Sequence, residues 1–435
     1  MALGGGTYLV QNKILPGAYI NFISAARASA TLSERGIATI PVIFDWGPVD
    51  TVFEVTTGDF QKKSQELFGY DYTAPELAGL RDMFKNIRKA YLYRLGQDGT
   101  KAACNIATAK YEGIRGNDIT VTVSVNLDDI EKFDVATHLG STLVDRQIGV
   151  DGNTDSLAGN LYVDWKADVE LEADIAKLTG GASPVIANGD YQTYLDRVEQ
   201  YTFNAIGCPS NDVTLKGLFT AFTKRLRDEQ GVKFQCVTYD NAADYEGIVN
   251  VPNKALGDVP IYSAVYWTTG VIAGTDVNKS ATNKIYDGEF SFDVNYTQSQ
   301  LEDAVKTGKF IFHRVNGDVR VLRDINSLVN TTLEKGEDFK QNQTIRVLDQ
   351  IGNDIAVLFN SKYLGVYPND NDGRISFWAD IVKHHEQLQS IRAIEGFTSD
   401  GIIVTQGDLK RSVVVTDNVT PVNAMEQLYM EVRVN

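Results

Sequence analysis

Residues 203–237 read FNAIGCPSNDVTLKGLFTAFTKRLRDEQGVKFQCV, and this stretch decides the fold. Phe203 to Cys208 is a short apolar run. Leu215, Leu218, Phe219, Phe222 and Leu226 then recur at the spacing of one helix face, Gly231 stands where such a helix ends, and Val232 to Val237 is a second apolar run. A strand, a helix and a strand with short joints form a crossover unit, so a mostly parallel sheet is predicted. Upstream, Tyr194, Val198 and Tyr201 predict a further helix, and Lys89 to Leu95 alternates as a strand. That strand follows a helix over Leu77, Leu80, Phe84 and Ile87, where Thr73 and Glu76 have capping-box spacing with Pro75 in the first turn. Earlier still, Thr39 to Phe44 is a strand closed by the turn Asp45-Trp46-Gly47-Pro48, and a helix is expected from Asp59-Phe60 to Phe68-Gly69. Downstream, a helix is expected near Ile261 to Ile272, and Phe310 to Phe312 with Val319 to Leu322 predict a hairpin around Asn316-Gly317-Asp318.

Between residues 99 and 187 the texture changes. Ile119, Val121, Val123 and Val125 alternate with Thr120, Thr122 and Ser124, and the segment is bounded by the linker-like stretches Gly96 to Thr100 and Gly180 to Pro184. A β-rich domain inserted into a discontinuous α/β core, residues 25–98 and 188–330, is the expectation. The remaining chain reads as a C-terminal domain, 331–412, followed by terminal strands, 413–435. Its helices carry Leu348, Ile351, Ile355 and Leu358, then Phe377, Ile381, Leu388, Ile391 and Ile394; the strands are Gly401 to Val404, Val413 to Val415, and Leu428 to Val434. In the last, Leu428, Met430, Val432 and Val434 alternate with Tyr429, Glu431 and Arg433, the period of a half-buried strand. The fold class is therefore mixed, α/β with α+β, in several domains with terminal strand arms.

The N-terminal arm, residues 1–24, places Ala18, Ile20 and Phe22 in alternation with Tyr19, Asn21 and Ile23 behind Pro16-Gly17. Fully extended, such an arm reaches roughly 80 Å. It either docks as an edge strand on its own domain or crosses to a neighbour, because an unpaired strand is a template for another chain.

With 435 residues and a net charge of -16, the chain has size for several cores and no basic surface for nucleic acid or an anionic membrane. It has no apolar run of membrane-spanning length and no secretory start, so a soluble cytoplasmic product is expected. Cys104, Cys208 and Cys236 lack any zinc or redox spacing and read as reduced core thiols.

The search for chemistry returns little. The joint after Cys208 is Pro209-Ser210-Asn211-Asp212, with no glycine cradle for phosphate, and Gly113 to Asn117 reads as a turn before the Ile119 strand. Asp151, Asn153 and Asp155 open like a calcium loop, but Ser156 replaces the glycine and Tyr162 the bidentate glutamate. His384 and His385 diverge by about 100° on a helix and read as solvated or interface histidines. Pro368 to Gly373 reads as a turn. No catalytic residue, metal or cofactor is expected, and the chain is read as a non-enzyme. The rival reading is a cytosolic α/β enzyme with an unrecognised active site, its strand ends lining a pocket.

The order of several short motifs carries a resemblance. These are Pro16-Gly17-Ala18-Tyr19-Ile20, Asp45-Trp46-Gly47-Pro48, Ala109 to Asn117, Ile325-Asn326-Ser327-Leu328, Arg346 to Ile351, Tyr363-Leu364-Gly365 and Val419-Thr420-Pro421-Val422. Across nearly its whole length the sequence resembles contractile phage tail sheath proteins of phages and phage-tail-like bacteriocins of Gram-positive bacteria. The resemblance implies subunits in stacked six-membered rings around a tail tube protein, with baseplate and terminator proteins as further partners. It implies assembly in the bacterial cytoplasm and then a place in the tail or tail-like particle. It also implies that the C-terminal module faces the tube, that the insert points outward, and that terminal arms add strands to neighbours' sheets while the sheath shortens and drives the tube through a cell envelope. On that basis the exchanged or sheet-closing strands are expected to be Gly17, Ala18, Tyr19, Ile20, Asn21, Phe22 and Ile23, with Leu428, Tyr429, Met430, Glu431, Val432, Arg433 and Val434. Tube contacts are expected at Lys383, His384 and Arg392.

Overall fold

The computed structural model describes residues 32–434, so the expected N-terminal strand Gly17 to Ile23 lies outside the described residues. Two compact units are present: residues 34–352 with 421–434, and residues 32–33 with 353–420.

The larger unit is built on a six-stranded sheet. Its elements are β1 (Ile37–Val42), β2 (Val52–Thr56), α1 (Thr57–Phe68), α2 (Ala78–Phe84) and β3 (Lys89–Arg94), then, after the insertion, α3 (Asn188–Val198) and a strand–helix run at residues 205–251. The insertion contributes β4 (Ala107–Ala109), β5 (Ile119–Val125), β6 (Phe133–Leu139), β7 (Thr142–Val150), β8 (Val163–Trp165) and β9 (Asp174–Lys177). The run comprises β10 (Ala205–Cys208), α4 (Val213–Lys224), β11 (Gln235–Tyr239) and β12 (Ile248–Val251). In the sheet the order is β12-β11-β10-β1-β3-β2, parallel throughout except for the antiparallel edge strand β2. This is the crossover architecture that residues 203–237 predict.

The two-residue period of the strands divides their side chains between two cores. Val237, Ala205 and Ile40 face one side, packed with Leu80, Met83 and Trp267, whereas Cys236, Ile206 and Tyr93 face the other, packed with Tyr194, Phe219 and Phe222. Helix α5 (Ala264–Gly274) lies on the first side, and its glycines set how closely it approaches: a Cβ on Gly274 would stand 1.6 Å from the Asn86 carbonyl oxygen, and one on Gly270 2.4 Å from that of Met83. At the end of α4 the chain makes a π turn over Arg225–Gln230, and Gly231, at φ 77°, closes it in the left-handed conformation.

One local expectation is corrected here. The segment before α2 has no capping box; Thr73 donates its hydroxyl and its amide to Asp71 Oδ1, at 2.7 and 2.9 Å. Asp71 thus captures the polar groups that a cap would use, and Pro75 begins a 3₁₀ turn, Pro75–Leu77, with no side-chain cap.

The insertion forms a four-stranded antiparallel sheet, order β7-β6-β5-β9, beside the pair β4–β8. Its core includes Trp46, which belongs to the turn after β1 and donates its indole N–H to the Glu66 carbonyl at 2.9 Å. Gly113 and Arg94 fasten the same turn: the Arg94 guanidinium is buried and donates to the carbonyls of Phe44 and Gly47 at 2.8 and 2.9 Å. Burial pulls the pKa of Arg94 down, with Glu112 and Asp45 opposing. Helix α6 (Gln298–Lys306), the hairpin Phe312–Val315 with Asp318–Val321, and the first part of α7 (Asn342–Leu358) complete this unit.

The smaller unit holds the end of α7, a π turn at Phe359–Tyr363, α8 (Asn371–Ser390), and the strands Ile402–Gln406 and Val413–Asp417. Among the described residues no helix is long and apolar enough to cross a membrane.

Candidate assembly interface

In the smaller unit, Leu358, Tyr363, Phe377, Ile381 and Ile402 form a core against which Trp378, Val404 and Val415 pack. Asp370 caps α8 by accepting from the Gly373 amide at 2.8 Å, which accounts for the Pro368 to Gly373 turn without a metal. Trp378 ties α8 to the strand region by donating its indole N–H to the Ile402 carbonyl at 3.0 Å.

The two strands pair in antiparallel register, Ile402 with Asp417 through Gln406 with Val413, and among the described residues this sheet has those two members. Each strand therefore presents one outer edge of backbone N–H and C=O groups that pairs with no strand among the described residues. Ile403 and Val414 are half-exposed on the same hairpin. Backbone groups along such an edge are chemically able to pair with a further strand.

The C-terminal stretch, residues 421–434, belongs to the larger unit. Up to Glu426 it is held on the larger unit: the Ala424 amide donates to Gln343 Oε1 at 2.9 Å, and Thr282 Oγ1 and Arg323 Nε each donate to the Glu426 carboxylate at 2.6 Å. Beyond Glu426 its polar side-chain contacts among the described residues are local ones, Tyr429 to Gln427 and Arg433 to Glu431. Residues 428–434 form no strand in this structure, and Leu428, Tyr429, Met430, Val432 and Val434 are between 70% and 91% exposed. The half-buried alternation expected of Leu428 to Val434 is thus not realised within the subunit: both faces of the stretch are open because nothing in the described chain covers either one.

Of the three residues expected to face a tube, Lys383 and Arg392 are exposed and His384 is not. His384 is 1% exposed, with Nε2 2.9 Å from Asp354 Oδ2, so it is an interior residue and the surface assignment is corrected. Arg392 lies beyond the end of α8, at φ 62°, and not on the helix. His385 is likewise buried, not solvated; Nδ1 is 3.0 Å from the Ile381 carbonyl and Nε2 faces Asp417 Oδ2 at 3.0 Å. The two rings stand 5.4 Å apart, each facing its own carboxylate, so the pair links α7, α8 and the second hairpin strand. Adjacent histidines on a helix diverge, and that divergence sends them to different partners. Sequence reading gave both strands of the hairpin but missed the Glu426 anchor; the signal available for the anchor was only a lone acidic residue before an apolar alternation.

The larger unit has a cleft of about 400 Å³ at the carboxyl ends of β1 and β10, lined among others by Phe44, Tyr191, Tyr262 and Tyr266. Ser263, the hydroxyl nearest to a nucleophile in type, donates to the Pro260 carbonyl at 2.6 Å. Among the described residues no group of three or more His, Cys, Asp or Glu side chains is gathered to hold a metal ion.

Comparison with known proteins gives consistent matches along the chain. Residues 35–95 match the tail sheath protein Gp18 domain III N-terminal region, 97–183 the phage tail sheath protein beta-sandwich domain, 185–327 the phage tail sheath protein central domain and 334–435 the phage tail sheath C-terminal domain. The chain is 33% identical to the phage-like element PBSX protein XkdK of Bacillus subtilis, covering 100% of both sequences. Among solved structures, the sheath tail protein of Desulfitobacterium hafniense is 35% identical with a TM-score of 0.81, over 96% of this chain and 100% of that one. The sheath tail protein Lin1278 of Listeria innocua is 30% identical with a TM-score of 0.79, over 90% and 93%.

Proposed function

This chain belongs to the phage tail sheath protein family, and from that premise we propose that it is a structural subunit that polymerises around a tail tube by donating its terminal strands to neighbouring copies. The observation that carries the reading is the match between an unfilled acceptor and an unpartnered donor. Among the described residues the hairpin Ile402–Gln406 with Val413–Asp417 has two open edges, and residues 428–434 are an apolar alternation with no strand partner. Strand addition supplies main-chain hydrogen bonds that tolerate rotation of the rigid bodies they join. The Glu426 anchor fixes where the donated stretch leaves its own subunit. In this reading Gly17 to Ile23 crosses to a second neighbour, residues 331–412 face the tube, and residues 99–187 face outward. Stacked six-membered rings then shorten by rigid-body rotation while the strand joints persist, and no nucleotide is consumed. Assembly takes place in the bacterial cytoplasm, with tube, baseplate and terminator proteins as partners.

Electron microscopy of the full chain beside a chain ending at Gln427 tests the reading. The full chain is expected to form tubes or stacked rings in the presence of tube and baseplate, and the shortened chain to remain a folded monomer. Tubes from the shortened chain would falsify the donor assignment.

A further inference from the structure

The sheet has a topological switch point: from β1 the chain proceeds to β3 on one side, and from β10 to β11 and β12 on the other. Helices leaving neighbouring strands towards opposite faces open a crevice beyond the strand ends. The cleft of about 400 Å³ lies in that place, bounded by Val42 and Asp45 at the end of β1 and Pro209 after β10.

Its chemistry is restrictive. Tyr191 is 7% exposed, and among the described residues the hydroxyls of Tyr191, Tyr262 and Tyr266 have no hydrogen-bond partner. Burial pushes the Tyr191 pKa up to about 12 and raises those of Tyr262 and Tyr266, so all three hydroxyls remain protonated donors. Among the described residues no Lys, Arg or His lines the cleft, which leaves an anionic ligand without a counter-charge there. On the rim, Glu76 and Asp258 are exposed, and neither belongs to an ion pair among the described residues. Tyrosine hydroxyls over a floor containing proline suit an extended, proline-bearing backbone whose carbonyls accept hydrogen bonds, and the two rim carboxylates suit a cation beside it.

The chain contains one segment of that chemistry outside the described residues. Of its 10 prolines, Pro16 alone lies there, preceded by Lys13-Ile14-Leu15, and residues 1–31 carry Lys13 and Arg27 with no Asp or Glu in a chain of net charge -16. We propose that the switch-point cleft of one subunit receives Lys13-Ile14-Leu15-Pro16 of a second copy, with Lys13 between Glu76 and Asp258 and the Leu15-Pro16 backbone against the tyrosines. The proposal rests on the reading that the N-terminal arm leaves its own subunit, and it anchors the arm just before the strand Gly17 to Ile23.

The experiment is a titration of a fluorescent peptide of residues 9–17 onto unassembled full chain and onto the full chain carrying Lys13→Glu with Pro16→Ala, read by anisotropy. Equal, saturable binding to both is expected. Glu76→Lys with Asp258→Lys, at exposed positions that leave the core untouched, is expected to weaken binding about tenfold, as the loss of two exposed ion pairs predicts. Gly79→Leu is expected to abolish it, since a Cβ at Gly79 already stands 2.9 Å from the Tyr266 ring and a larger side chain drives that ring into the cleft. Binding to the Lys13→Glu/Pro16→Ala chain alone means the subunit's own segment fills the cleft and overturns the second-copy assignment. Absence of binding to either chain, or full affinity after the rim reversal, overturns the site. The titration needs no polymer, so its failure is distinct from a failure to form tubes.

Discussion

Arg227 and Asp349 form a bidentate pair in the larger unit, with Nη1 and Nη2 donating to the two carboxylate oxygens at 2.6 and 2.8 Å, and both residues are buried. Burial alone lowers the guanidinium pKa, but the facing carboxylate outweighs it and raises the value, so the charge is locked in. Asp349→Ala leaves that charge unpaired and is expected to destabilise the subunit by about 3–5 kcal/mol, read from urea unfolding; replacing both residues by Met and Leu recovers most of the loss. Asp82 behaves in the opposite sense. Its carboxyl accepts from the Tyr286 hydroxyl and from the Glu289 amide at 2.8 Å, but burial dominates and raises its pKa from 3.8 to about 6. The folded state then holds a proton that the unfolded state has lost, so this stabilisation is full below pH 3.8 and disappears as pH rises through 6. Between pH 5 and pH 7.5 the wild type is expected to lose about 1 kcal/mol relative to Asp82→Asn, which carries no titratable group there. A parallel pair of pH–stability curves contradicts the account. The roles of Arg227, Asp349 and Asp82 were not legible in the sequence, because a charged residue on a helix looks the same whether it faces solvent or a partner distant along the chain.

Trp46 shows how elements are joined. The turn Asp45-Trp46-Gly47-Pro48 was readable as a turn, yet its tryptophan fills the core of the inserted β domain, and its indole N–H is satisfied by Glu66 of α1. Trp46→Ala is expected to cost about 3–5 kcal/mol. Hydrogen exchange is expected to quicken in β5 and β6 and to stay slow in β1, β10 and β11; uniform loss of protection across both sheets contradicts the rivet role. The helix and strand pattern at residues 203–237 was legible because apolar period alone fixes a crossover unit. The hairpin Ile402–Gln406 with Val413–Asp417 was legible as strands but its open edges were not, since an edge is defined by what fails to pair and pairing is a tertiary property. The capping box at Thr73 failed for a local reason: Asp71, two residues earlier, competes for the same donors.

For the whole molecule, the sheath family and the mixed α/β architecture were legible from the order of motifs, whereas the burial of His384 was not, because charge in a sequence does not say which side of a helix is buried. His384 is interior, paired with Asp354, so only Lys383 and Arg392 remain as exposed basic groups there. Lys383→Glu with Arg392→Glu is expected to weaken co-sedimentation of sheath with tube while tubes of sheath alone form normally; unchanged attachment removes this surface from the tube interface. The proposed assembly turns on residues 428–434, an apolar alternation anchored at Glu426 and without a strand partner among the described residues. The most direct measurement is a cryo-electron microscopy reconstruction of the assembled tube at side-chain resolution. The account predicts that residues 428–434 of one subunit run as a strand along an open edge of the Ile402–Gln406/Val413–Asp417 hairpin of another. A tail folded back onto its own subunit, or one unpaired in an intact tube, contradicts it.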